Sequence, residues 1–352
     1  MDPPVADPGE NNNTCTMPKI RPAIVITGAA GFIGSALAWR LNQLGRADLL
    51  LVDNLRSSAK WRNLVPLAYL DYMEKDDFLA SLRQGGPAGY EVEAILHMGA
   101  CSATTEADVT YLARNNFEYS KRLADFCLDR PSPIRLIYAS SAATYGEGEQ
   151  GYRDEHALVP SLRPLNAYGY SKQMFDQWNL RHGHIDKVVG IKFFNVYGPN
   201  EYHKGDMRSM VAKAFDQIQS AGRVQLFKSH RPDYRDGEQV RDFVYVKDAV
   251  DMTLHFLDTR VEGGLYNVGS GQARSWLDMM KALFAALEQD PRIDFVPMPE
   301  VLRGKYQYHT LADLSKIRAA GYDKPVRSLE DGVSDYAAYL KAGHKPLGWD
   351  YP

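Results

Sequence analysis

Apolar residues in this chain come in short, nearly unbroken runs separated by longer stretches with a different rhythm. Ala23-Ile24-Val25-Ile26, Leu49-Leu50-Leu51-Val52, Ala94-Ile95-Leu96-His97, Leu136-Ile137-Tyr138-Ala139 and Val188-Val189-Gly190-Ile191-Lys192-Phe193 lack the alternation of a half-exposed strand. Runs of this kind predict strands buried on both faces. Between the first two runs, Phe32, Leu37, Leu41 and Leu44 recur at helical spacing, and a later helix carries Lys172 and Phe175. Strands alternating with helices predict a parallel sheet covered on both sides, an α/β doubly wound, Rossmann-like architecture.

The texture changes near residue 200. Loops lengthen and gain charge, notably over Lys228 to Gln239, with strand-like Phe243-Val244-Tyr245-Val246 and helix-like Ser275 to Leu287 among them. The expected organisation is a disordered leader over residues 1–20, rich in Asp, Pro and Asn. A dinucleotide-binding domain follows over 21–195, and a smaller α/β substrate lobe over 196–352, with some chain returning to the first domain.

Composition narrows the function. With 352 residues, 45% of them hydrophobic, the chain is long enough for a large core, and its net charge of -3 does not point to nucleic acid or an anionic membrane. No apolar run reaches the ~20 residues of a membrane span. Cys15, Cys101 and Cys127 form no close-spaced metal pattern, and their odd number argues against a disulfide framework, so a reducing cytoplasm is expected.

The chemistry concentrates in two places. Gly28, Gly31 and Gly34 are spaced three apart between a predicted strand and a predicted helix. That pattern allows a tight turn, a close backbone approach to a pyrophosphate, and an anion at the helix N-terminus. Asp53 ends the second strand and suits a ribose 2′-hydroxyl, which favours NAD. Arg56, Lys60 and Arg62 follow closely and suit a 2′-phosphate, so the residues alone leave NAD and NADP open. Gly99-Ala100-Cys101-Ser102 suits a small-residue wall beside a cofactor, with Cys101 packed rather than reactive. Farther on, Tyr168 and Lys172 stand four apart and share a helix face. A nearby ammonium favours the phenolate of a tyrosine. Ser140 and Ser141 end the strand before them, where a hydroxyl can hold a reacting oxygen.

These segments resemble the extended short-chain dehydrogenases/reductases of the NAD-dependent epimerase/dehydratase family that act on nucleotide sugars. The likeness rests on Thr27 to Gly34, Tyr138 to Gly146 and Tyr168 to Lys172. Further segments are similar to the epimerases of ADP-linked heptose: Gly99 to Ser102, Phe194-Asn195-Val196-Tyr197-Gly198-Pro199, His203-Lys204-Gly205, Arg241 to Val246 and Ala319 to Pro325. The resemblance implies transient oxidation at C6″ by a retained NADP, with return of hydride to the other face, in making lipopolysaccharide heptose precursors. It implies Tyr168 and Lys204 as the two proton-transfer groups, Lys172 as a supporting cation and Ser141 as a polariser. It also implies Phe32, Ile33, Asp53, Asn54, Lys60, Lys75, Met98, Asn115, Lys172, Val196 and Lys204 around the cofactor. For the substrate it implies Asn195, Asp206, Lys213, Phe227, Lys228, Ser229, His230, Arg241 and Tyr306, and a homo-oligomer. Arg241 can grip a diphosphate, its alternative being a salt bridge with Asp242. Asp206 and Lys213 stand where some members have Ser and His, and residues 228–239 are longer than in shorter members. Another nucleotide-sugar epimerase or a reductase is the alternative activity.

Overall fold

The computed structural model describes residues 20–303 and 306–349. The leader expected over residues 1–20 lies outside the described residues, Ile20 excepted.

Seven parallel strands form the central sheet: β1 (Arg21–Thr27), β2 (Leu49–Asp53), β3 (Asp71–Glu74), β4 (Tyr90–His97), β5 (Arg135–Ser141), β6 (Val189–Phe193) and, after three intervening strands of the smaller sheets, a strand at Gly264–Val268. Their spatial order is β3-β2-β1-β4-β5-β6 and then Gly264–Val268. β2 and β6 are buried along their whole length, which is why they read as continuous apolar runs. The chain winds outward from β1 through β2 to β3, then crosses back to β4. That reversal opens a crevice at the carboxyl ends of β1 and β4, the usual ligand position in such sheets.

Two smaller sheets lie among the later residues. β7 (Asn195–Tyr197) runs parallel to β9 (Val240–Tyr245), and β8 (Val224–Phe227) runs parallel to Ile293–Val296. With the intervening strands counted in chain order, Gly264–Val268 is β10, Ala273–Ser275 is β11 and Ile293–Val296 is β12; β11 pairs antiparallel with β9. The strand expected to run through Val246 stops at Tyr245, because Val246 opens the helix Val246–His255, which packs on the helix Phe32–Gln43. β3 and β10 were not legible as strands. β3 is a half-exposed edge bounded by Asp71 and Glu74, and β10 opens on a glycine.

One polar cluster ties the sheet to the helix Ala167–Arg181. Lys192 lies in the middle of β6 with 1% of its surface exposed. Its ammonium meets the Asp176 carboxylate at 2.8 Å, and the carboxylate also accepts from the Tyr138 hydroxyl (2.9 Å) and the Ser140 hydroxyl (2.8 Å). The ammonium donates again to Thr144 Oγ1 at 2.7 Å. A buried ion pair of this kind is tolerable because its partners are so fully satisfied.

Replacing Lys192 by Met should leave Asp176 buried and uncompensated. The expected loss is about 3–5 kcal/mol in urea unfolding; a loss under about 1 kcal/mol would show that the pair is not needed for the fold.

Candidate active site

The glycine turn is built by steric necessity. Gly28 has φ +68°, and a Cβ there would stand 2.7 Å from the Gly99 backbone. A Cβ at Gly34 would meet the Gly28 carbonyl oxygen at 2.1 Å. The turn therefore closes only with glycine at both places. Gly31 is the N-cap of the helix Phe32–Gln43 and offers no side-chain oxygen, so the first-turn N–H groups stay open to an anion.

A cleft of about 480 Å³ opens at this turn. Gly28, Gly31, Phe32, Ile33, Gly34, Asp53, Asn54, Lys60, Lys75, Met98, Gly99, Ala100, Cys101, Ser102, Asn115 and Lys204 all line it. Arg56, expected as one of three cations suited to a 2′-phosphate, also lines it, whereas Arg62 does not; Tyr111 and His203 line it without a signal in the sequence that marked them for it. Asp53 is strongly engaged. One oxygen accepts from the Ala30 N–H (2.8 Å), the other from the Asn54 N–H and the Lys60 ammonium, both at 2.7 Å. Lys75 donates to Asn115 Oδ1 at 3.0 Å across the cleft floor. Burial, followed by the charges of Lys204 and Lys60, pushes the His203 imidazole down to about 4, so it is neutral at pH 7.

Tyr168, Lys172 and Ser141, expected to be catalytic, are not among the residues that line this cleft. Asn166 caps the helix Ala167–Arg181 by accepting from the Gly169 N–H at 2.8 Å, which puts Tyr168 in the first turn and Lys172 one turn on. The Lys172 ammonium donates to the Ala139 carbonyl at 2.7 Å, and Ala139 lines the cleft. Burial lowers Lys172 to about 8, opposed by Asp176. Burial also raises the Tyr168 phenol, with the Ser141 hydroxyl, in hydrogen-bond contact, acting the other way. The two serines separate as neighbours on a strand must: Ser140 points to Asp176, Ser141 to Tyr168.

A second pocket of about 610 Å³ adjoins the first and shares Lys204 and Met207 with it. Asn195, Val196, Lys213, Phe227 and Tyr306 line it. Val196, expected at the cofactor, faces this pocket instead. Burial lowers the Lys204 ammonium, and nearby Glu201 opposes the shift. Glu201 is itself buried, accepting from the Ser209 N–H, the Ser209 hydroxyl and the Tyr336 hydroxyl. Arg241 is 5% exposed and stacks beside Tyr306 at 5.1 Å and Trp276 at 5.9 Å. It donates to the Val240 and Gln307 carbonyls and pairs with no carboxylate among the described residues. Asp242 lies on the other face of β9, where Ser270, Gly271 and Ala312 donate to it. Asp206 is exposed, with only its carbonyl in contact with Lys213. Lys228, Ser229 and His230 lie outside the pocket wall; His230 contacts Tyr308, whose ring is 5.5 Å from Tyr306.

A glycine-cradled dinucleotide cleft beside a tyrosine and a lysine four apart defines an enzyme that works with a nicotinamide cofactor. Residues 24–269 match the model of the NAD dependent epimerase/dehydratase family, and the chain belongs to that family, an enzyme of the isomerase class. The chain is 49% identical over 323 residues to a protein of Nitratidesulfovibrio vulgaris (strain DP4) named ADP-L-glycero-D-manno-heptose-6-epimerase, covering 92% of this chain and 99% of that one. A Fusobacterium nucleatum protein of the same name is 48% identical, covering 89% and 96%. Among solved structures, the Helicobacter pylori ADP-L-glycero-D-manno-heptose-6-epimerase superposes with a TM-score of 0.73 at 26% identity, covering 92% and 97%. The UDP-N-acetylglucosamine 4-epimerase of Methanobrevibacter ruminantium M1, at 22% identity and TM-score 0.75, covering 92% and 99%, shares the fold. No helix among the described residues is long and apolar enough to cross a membrane.

The depressed Lys172 makes a pH prediction. The unfolded chain holds this proton up to its ordinary 10.5, the folded cofactor-free protein only to about 8. The cost of burying the charge is fully present below pH 8 and is relieved as pH rises from 8 toward 10.5. Stability should therefore gain on the order of 2 kcal/mol over that interval. Urea unfolding of the wild type and of Lys172→Met at pH 7 and 10 isolates the effect, because the other titrations are common to both. An unchanged pH slope in the variant would refute it.

Proposed function

We propose that this chain inverts C6″ of ADP-D-glycero-D-manno-heptose to the L-glycero epimer, a heptose precursor of lipopolysaccharide, with NADP retained through turnover. The observation that carries this reading is the position of Lys204. It lines both pockets, while Tyr168 comes from the first turn of the helix Ala167–Arg181. Two proton-transfer groups on different elements are what inversion of an alcohol carbon requires.

A nicotinamide held along the Gly28–Gly34 turn, Asn54, Lys60 and Asn115 would supply hydride acceptance and hydride return at C6″. One of Tyr168 and Lys204 takes the hydroxyl proton as the carbonyl forms, and the other supplies a proton to the oxygen as the inverted alcohol is restored. Burial lowers the Lys204 ammonium and Glu201 opposes the shift. Ser141 holds the reacting oxygen. Arg241, a buried guanidinium facing rings and carbonyls, is ready for a diphosphate. NADP is favoured over NAD because both oxygens of Asp53 are occupied and Lys60 is drawn to it, leaving Asn54 and Arg56 at the rim for a 2′-phosphate.

Proton NMR of the purified protein with ADP-D-glycero-D-manno-heptose and no added cofactor tests the reading. The L-glycero epimer should appear. Tyr168→Phe and Lys204→Met should each slow it by about a hundredfold or more while retaining the cofactor. Absence of epimer even after NADP+ is added, or full turnover by Lys204→Met, would overturn it.

A further inference from the structure

The second pocket contains a polar side chain that the fold leaves unserved. Gln239 is 1% exposed and lines the pocket wall. Neither its Oε1 nor its Nε2 has a hydrogen-bond partner among the described residues. Its backbone is placed just before β9, where its carbonyl accepts from the Trp276 backbone N–H at 3.3 Å. A buried carboxamide with neither donor nor acceptor satisfied destabilises a protein. Gln239 is thus a cost to the fold alone.

Its neighbours indicate what it faces. Arg241 and Phe243 share one side of β9, and Gln239, the residue just before the strand, continues the same alternation. Trp276 packs on that side, against Phe243 at 4.9 Å and under the Arg241 guanidinium. Among the described residues, an amide without a partner therefore lines a cavity walled by the Trp276 indole and the Tyr306 ring, and the Arg241 cation rests on both of those rings.

We propose that Gln239 is a specificity-determining residue for the nucleotide sugar, its carboxamide hydrogen-bonding a group that presents a donor and an acceptor side by side. The adenine edge and the hydroxyls of the sugar both have that chemistry. The inference rests on the nucleotide-sugar reading above and adds a contact to it.

Calorimetry with ADP and with ADP-heptose, on wild type and Gln239→Met, tests it together with the melting temperature of ligand-free protein. The variant should bind ADP-heptose roughly tenfold or more weakly, melt no lower than wild type and keep its cofactor. KM should rise with kcat nearly unchanged, since the contact is made in ground and transition states alike. Equal weakening toward ADP assigns the contact to the nucleotide, and weakening confined to ADP-heptose assigns it to the sugar. Wild-type binding with both affinities within twofold in the variant overturns the inference alone. Failure of the wild type to bind either ligand overturns the nucleotide-sugar reading as well. Gln239→Leu provides the same comparison if the Met variant does not fold.

Discussion

The presentation of the reactive groups depends on one buried carboxylate. Asp176 holds Lys192 on β6 and Tyr138 and Ser140 on β5, so it fixes the helix Ala167–Arg181 against both strands. Lys172 lies one turn earlier on the same helix face, which aims its ammonium at the end of β5. Turning Ser140 toward Asp176 obliges Ser141 to face the other way, to Tyr168. The serine, the phenol and the ammonium are thus arranged by a carboxylate bonded to three side chains of the two strands. The arrangement holds because nearly every donor and acceptor in it is matched, which is the condition under which a buried charge is retained.

Much of the central sheet was legible because strands buried on both faces leave unbroken apolar runs. β3 and β10 left no such trace: Asp71-Tyr72-Met73-Glu74 has acids at both ends, and Gly264-Leu265-Tyr266-Asn267-Val268 owes its strand to pairing with β6. The helix beginning at Val246 was hidden because an apolar strand runs straight into it. The same division holds at the site. The glycine turn and the Tyr168–Lys172 pair are local patterns, each contained in a few consecutive residues. Glu201, Trp276 and Gln239 carry no local signature, since their surroundings come from segments far apart in sequence. Arg241 was recognisable as an anion grip, but its separation from Asp242 follows from strand alternation on β9. Lys228, Ser229 and His230 adjoin Phe227 in sequence but leave the pocket as soon as β8 ends.

The two pockets meet at Lys204, on a short turn where Gly205 takes φ +54°. Behind it the buried Glu201 is bound to Ser209 and to Tyr336 of the helix Leu329–Lys341. The common wall therefore draws its support from the last described helix of the chain, far from the glycine turn it faces.

The segment between β8 and β9 closes on itself, with the Ser229 N–H donating to Asp236 Oδ1 at 2.7 Å. It meets the pocket through rings, His230 and Tyr234 lying 5.1 Å and 4.9 Å from Tyr308. The register that sets Arg241 opposite Arg274 is fixed elsewhere, by β11. The excursion is thus a self-contained turn hung between two strands whose pairings are made elsewhere, so a change in its length is absorbed locally and leaves the β9–β11 register in place.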